Sequence, residues 1–334
     1  MDRRVNTSAQ RRLAADGGAC KDSMPPRLKP RVRRNSGESM TTTPVAPPSV
    51  FRTPQGAVRF VAAYDAAVAR CAAAVGGVYV PTSFGMTHAI TSGDRSAMPL
   101  VLLHCGMGSA SVWHPNLEEL SRHFRVFAVD VICEPNKSVP SRTVRTRNEF
   151  ARWLVEVLDG LSVESAAIVG SSYGGFLATN FAVHAPDRVK GLVLISPAAT
   201  FVPVWRFFLR ALLLYLRRPD VRGPIMLRGM EIDPTSPWAE VLRLAASEGR
   251  IVHRVAPVAI PRQDLQRVGR PVLLLIGERD RLYRPKTPQQ VLERARQLMP
   301  QLEGEIIPNC NHLAALTHSQ YVNVRISRFF RHID

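Results

Sequence analysis

A chain of 334 residues, 46% of them hydrophobic, has room for one large α/β domain with an insertion or for two ordinary domains, and it can bury a sizeable core. Its 44 Lys and Arg against 27 Asp and Glu give a formal net charge of +17, which raises nucleic acid or an anionic membrane as partners. No zinc-finger spacing, basic zipper or aromatic RNA-binding signature accompanies that charge, so no specific nucleic-acid partner is expected and a solvated basic surface is the simpler reading.

Five scattered cysteines (Cys20, Cys71, Cys105, Cys133, Cys310) argue against a disulfide framework and for a reducing compartment. No apolar run reaches the length of a membrane span, and the first residues lack the apolar segment of a secretory signal. On these features a cytoplasmic protein is expected.

Residues 1–53 are rich in Arg, Pro, Ser and Thr and poor in large apolar residues, so a disordered basic tail is expected there. A basic arm for an acidic surface, or a true start at Met24 or Met40, are the alternatives. Residues 54–334 should form the folded domain. A leading helix is expected from about Gln55 to Ala74, then a β-hairpin over Val78–Val80 and Thr87–Ile90. Continuous apolar runs at Leu100–Leu103, Val126–Val129, Ala166–Val169, Gly191–Ile195 and Val272–Ile276 read as strands buried on both faces. Helical spacing at Asn148–Leu158, Gly174–His184, Pro288–Leu298 and Gln320–Phe330 alternates with these strands and with Gly304–Ile307. That alternation predicts βαβ units and a mostly parallel, doubly wound sheet.

The alternation breaks between about residues 201 and 268. A helix carrying Trp205, Leu212, Leu213, Leu216 and several arginines is expected first, and a second at Pro237–Ser247. Between them Gly223 and Pro224 weaken the helical pattern. The insertion reads as a helical lid over the strand ends; contact of its basic amphipathic helix with a membrane surface is the less favoured alternative.

Gly170–Ser171–Ser172–Tyr173–Gly174 follows a buried strand and opens a helix, the setting of a nucleophile elbow. The pentapeptide alone arises by chance in roughly one chain in ten of this length, so its weight depends on partners elsewhere. Acyl transfer needs a base, a group that orients the base, and donors for the developing oxyanion. His312, in the loop after the last strand, is the candidate base. Asp280, after the strand 272–276, is the candidate orienting acid; Glu278 is the nearby alternative. The order Ser172…Asp280…His312 is the one this architecture uses. The amides of Tyr173 and of Gly106, in the loop after Leu100–Leu103, are the candidate oxyanion donors. Asp130 precedes the serine and reads as structural or pocket-lining.

Leu103–Gly108, Gly170–Gly175, Gly277–Asp280, Asn311–His312 and Ala185–Val189 leading into Gly191–Ala198 together resemble the α/β-hydrolase superfamily, specifically its lidded carboxylesterase-like members. The resemblance runs from about Tyr79 to the end. It implies a serine hydrolase that cleaves a carboxylic ester through a covalent acyl-enzyme, acting on a small-molecule ester without cofactor or metal. Hydrolysis of a C–C, lactone or amide bond, perhydrolysis, and a non-catalytic small-molecule receptor are the alternatives on the same fold. Three residues depart from the family pattern. Cys105 stands where glycine usually follows the histidine, Cys133 where a glycine often follows the strand-end aspartate, and Asn311 where glycine usually precedes the catalytic histidine. Asn311 is the milder of these changes, because asparagine tolerates a left-handed backbone.

Overall fold

The two apolar runs with least polar alternation, Ala166–Ser171 and Val272–Gly277, are buried along their whole length inside one sheet. The computed structural model describes residues 48–334 except 72, 237, 332 and 334, so the expected basic tail lies outside the described residues up to position 47. The end of that stretch is built into the fold. Val50 and Phe51 are buried, Phe51 bridges Gly249, and the Thr53 hydroxyl accepts the Gly56 amide to cap the first helix. The folded chain therefore starts ahead of position 54, because Val50 and Phe51 supply an apolar pair that the core covers.

The strands are β1 (Val75–Thr82), β2 (Gly85–Ser92), β3 (Pro99–Leu103), β4 (Arg125–Val129), β5 (Val139–Pro140), β6 (Ala166–Ser171), β7 (Val189–Ile195), β8 (Val272–Gly277) and β9 (Glu303–Ile307). They lie in the order β1-β2-β4-β3-β6-β7-β8-β9, with β5 paired to β2. The pairs β1/β2, β2/β4 and β2/β5 are antiparallel; every pair from β4/β3 to β8/β9 is parallel. The expected hairpin and buried strands are thus all present.

The helices are α1 (Pro54–Val68), α2 (His114–Ser121), α3 (Arg147–Gly160), α4 (Tyr173–His184), α5 (Trp205–Tyr215), α6 (Pro219–Gly229), α7 (Ala239–Glu248), α8 (Arg262–Gln266), α9 (Pro288–Leu298), α10 (Ala314–Thr317) and α11 (Ser319–Phe330). Capping boxes start two of them: Thr146 with Glu149 at α3, and Thr287 with Gln290 at α9. Side chains alternate across each strand. Val101, Leu103, Ile168, Leu192, Leu194, Leu274 and Ile276 join the core under α3, α4 and α9. Leu100, Leu102, Val169, Val193, Ile195, Leu273 and Leu275 join the opposite core under α1, α2, α7 and α11. The sheet is therefore sandwiched between two helical layers.

Between β7 and β8 the chain forms α5 to α8. The piece over 219–229, where the sequence pattern looked broken, is helix α6. Gly223 does not interrupt it; a Cβ there would stand 2.6 Å from Cγ and 3.0 Å from Cα of Arg243 in α7, so the missing side chain lets the two helices approach. Pro224 lies inside the same helix. Local propensity lost to packing between helices.

Candidate active site

Parallel strands deliver their carboxyl ends to one edge of the sheet, where the following loops meet. β3 ends at Leu103 opposite Gly170 of β6, and Ser171 of β6 pairs with Ile195 of β7. Ser172 comes next, with φ 52° and ψ −112°, a strained left-handed conformation at a non-glycine residue. Backbone bonds hold it: its amide donates to the Ile195 carbonyl (2.9 Å), and its carbonyl accepts from Ala198 (2.9 Å) and Phe176 (3.1 Å). The flanking glycines are needed for close approach. A Cβ on Gly170 would fall 2.3 Å from the Gly174 carbonyl oxygen, and one on Gly174 would fall 2.3 Å from that of Leu103.

His312 Nε2 lies 3.0 Å from Ser172 Oγ, and His312 Nδ1 lies 2.9 Å from Asp280 Oδ2. Asp280 Oδ1 accepts the Leu282 amide at 2.8 Å. The neutral imidazole that suits these contacts carries its proton on Nδ1, donates to Asp280 and accepts the serine hydroxyl at Nε2. All three side chains are withdrawn from solvent. Burial alone lowers the His312 imidazole, but the charge and hydrogen bond of Asp280 outweigh it and hold it above its ordinary value. Burial likewise disfavours the Asp280 carboxylate, yet His312 and the Leu282 amide hold it below the usual range. Glu278, the alternative acid, turns outward instead and accepts the Asn309 amide at 2.8 Å.

The amide of Tyr173 lies in the first turn of α4, where helical geometry supplies no acceptor and the helix dipole favours negative charge. Gly106 sits against Tyr173: a Cβ built on it would meet the Tyr173 Cβ at 3.5 Å. Among the described residues no protein acceptor takes the Gly106 amide. His104 shapes this loop from within, with Nδ1 donating to the Cys105 carbonyl (2.8 Å) and Nε2 accepting the Val131 amide (2.9 Å). Asp130 is wholly buried and accepts from the Ala110 amide (2.6 Å) and the Tyr64 hydroxyl (3.1 Å), so it fastens the loop below the site.

The departures from the family pattern resolve differently. Cys133 takes φ 71°, the left-handed conformation a glycine would take more cheaply. Asn311 is not left-handed; Asn309, two residues earlier, takes that role with φ 56°. Asn311 works through its side chain, accepting the Leu313 amide (3.0 Å) and donating to the Met230 carbonyl (3.1 Å) just after α6. Burial and the charge of Glu134 push the Cys105 thiol up to about 12, which leaves it a small apolar side chain rather than a reactive one.

Two residues that sequence reasoning did not select complete the site. Glu134 is buried; its Oε2 accepts the Met107 amide (2.8 Å), and its Oε1 lies 3.1 Å from His253 Nε2. His253 Nδ1 accepts the Val255 amide at 3.3 Å, so the proton sits on Nε2 and is donated to Glu134. The His253 ring stacks on the Tyr173 ring with centroids 5.2 Å apart and planes 3° from parallel, and the Tyr173 hydroxyl donates to the Val255 carbonyl at 2.8 Å. Glu134 and His253 thus tie the loop bearing Gly106 to the residue bearing the other candidate donor.

Two surface cavities, of about 590 and 1060 Å³, lie elsewhere and include none of Ser172, Asp280 and His312 in their walls. Among the described residues no group of three or more His, Cys, Asp or Glu is placed to hold a metal ion.

Comparison with known proteins fits this architecture. The sequence pattern of the alpha/beta hydrolase family matches residues 100–324, the stretch that holds every residue of the site. Carboxylesterase YbfK of Bacillus subtilis is 35% identical over 295 residues, covering 84% of this chain and 96% of that protein. An uncharacterized carboxylesterase, nap, of the same organism is 33% identical over 265 residues, covering 75% and 85%. The crystal structure of naproxen esterase from Bacillus subtilis superposes with a TM-score of 0.76 at 31% identity, covering 83% of this chain and 99% of that one. The chain belongs to the alpha/beta hydrolase family.

Proposed function

We propose that the protein is a serine esterase that cleaves a carboxylic ester of a small molecule through a covalent acyl-enzyme, with Ser172 as nucleophile, His312 as base and Asp280 as the acid that orients it. The hydrogen-bonded series Ser172 Oγ, His312 Nε2, His312 Nδ1, Asp280 Oδ2 carries this reading. In it His312 takes the serine proton as Oγ adds to the ester carbonyl. The amides of Tyr173 and Gly106 stabilise the oxyanion. Collapse expels the alcohol, which takes the proton from His312. Water then repeats the sequence on the acyl-enzyme and releases the carboxylic acid. No cofactor is needed for these steps.

The same reading makes residues 54–334, together with the Val50–Phe51 stretch that packs on them, the hydrolase domain, with 201–268 as a lid that covers the serine and shapes the acyl pocket. It places the enzyme in the cytoplasm, on the strength of its scattered unpaired cysteines. The relatives' names support an ester as substrate over the C–C and amide alternatives.

Ser172→Ala should lower hydrolysis of p-nitrophenyl acetate and butyrate by at least about 10³-fold and abolish labelling by a fluorophosphonate. Unchanged hydrolysis in that variant overturns the proposal.

A further inference from the structure

Helix α5 presents its apolar side to solvent. Trp205, Leu209, Leu212, Leu213 and Leu216 are 50–74% exposed, whereas large apolar side chains elsewhere in the fold mostly pack into the two cores. At about 100° per residue, Trp205, Leu209, Leu212 and Leu216 share an arc of roughly 60°, with Leu213 at its margin. Arg206, Arg210 and Arg217 occupy the adjoining arc of roughly 40°. All three are exposed, and the Arg206 guanidinium lies 5.2 Å from the Trp205 ring centroid. No Asp or Glu occurs between residues 188 and 219.

We propose that α5 is a docking surface for an anionic lipid bilayer, with the Trp205–Leu216 face entering the headgroup boundary and Arg206, Arg210 and Arg217 meeting lipid phosphates. An apolar stripe, a flanking tryptophan and unopposed arginines at its edge are what such an interface selects. Charge complementarity decides against a second copy as occupant. In a two-fold contact this patch would face itself, bringing arginines together with no carboxylate on the patch to pair them. The formal net charge of +17 adds a long-range attraction to the same surface. No helix among the described residues is long and apolar enough to cross a membrane, so the contact is peripheral. This inference stands apart from the esterase reading and holds or fails without it.

The four tryptophans make a direct test possible. Trp113, Trp153 and Trp238 are buried, which leaves Trp205 as the exposed reporter. The full chain is mixed with phosphatidylglycerol/phosphatidylcholine vesicles, with and without brominated acyl chains, and with pure phosphatidylcholine vesicles. Vesicle binding is read by co-sedimentation and insertion by quenching. Three arginines at the surface should favour the anionic vesicles by about 100-fold. Quenching should be present in wild type and absent in Trp205→Phe. Leu212→Ser/Leu216→Ser should weaken binding by about 100-fold or more, with an unchanged thermal midpoint because both leucines are exposed. The proposal is overturned by vesicle binding that the double variant keeps in full, which would assign it to charge elsewhere in the chain. It is equally overturned by failure of wild type to bind, including a wild type that self-associates through this face in preference to vesicles.

Discussion

Glu134→Gln isolates the link between the two candidate oxyanion donors. The wild-type carboxylate accepts two donors, the Met107 amide on one oxygen and His253 Nε2 on the other. A glutamine has one acceptor oxygen and one NH2, so either rotamer turns a donor toward a donor. His253 cannot adjust by moving its proton to Nδ1, because that nitrogen accepts the Val255 amide. One buried donor is left unpaired, at a cost of about 1–3 kcal/mol. If the strain is relieved by a shift of the loop at Met107, the neighbouring Gly106 amide moves off the oxyanion and the same energy appears in the barrier. At a factor of ten per 1.36 kcal/mol that predicts a kcat lower by about 5- to 150-fold. KM should hardly move, because the oxyanion exists only after Ser172 has added to the carbonyl. Steady-state hydrolysis of p-nitrophenyl butyrate, beside a thermal melt, checks this. A melt lowered by several degrees with kcat within twofold of wild type would refute the reasoning and leave Glu134 a purely structural carboxylate.

Asp280→Asn should lower kcat by about 10³- to 10⁴-fold, since the asparagine no longer stabilises the imidazolium or fixes its tautomer. In wild type, kcat/KM should rise with pH around a midpoint above the ordinary histidine value of about 6.5, because Asp280 holds the His312 proton against burial. In Asp280→Asn that midpoint should fall below wild type, as burial is then unopposed. Stability follows the same pair. The lowered Asp280 contributes stability above about pH 3.9 that is lost as pH falls through its folded value. The raised His312 contributes below about pH 6.5 and loses it as pH rises through its folded value. The excess melting temperature of wild type over Asp280→Asn should therefore peak between about pH 4 and 6.5. Burial pushes Cys133 and Cys310 up to about 11 and Cys105 up to about 12. Iodoacetamide at about pH 8 should label none of these three in the native protein, while the partly exposed Cys71 reacts; mass spectrometry of tryptic peptides reads the pattern.

The sheet and the Ser172–Asp280–His312 arrangement were legible because their signals are local. An uninterrupted apolar run has few alternatives to a buried strand, and the elbow writes its strain into glycines two positions either side of Ser172. The preference for Asp280 over Glu278 rests on position in the loop; in the fold Asp280 lies 2.9 Å from His312 Nδ1, while Glu278 accepts the Asn309 amide. Glu134 and His253 stand 119 positions apart and carry no motif; only the fold brings them together. Helix α6 was hidden for a related reason, since Gly223 answers to Arg243 of another helix rather than to its own neighbours. The left-handed residue near His312 is Asn309, two positions before Asn311; either asparagine tolerates the conformation, and local sequence does not choose between them.

The short stretch at Val50–Arg52 has a consequence for how the molecule is put together. Its backbone bonds join the Arg52 amide to the Glu248 carbonyl and the Arg250 amide to the Val50 carbonyl, linking positions about 200 apart. Arg59 of α1 pairs with Glu248 at the same place. The chain just beyond carries His253, so the segment that braces Tyr173 is stitched to the opening of the domain before it reaches the site. Residues 201–268 are accordingly no detachable cassette. Exchanging them for the corresponding piece of a relative would cut a seam whose other edge lies ahead of the first helix, and a graft that respects the seam must carry both edges.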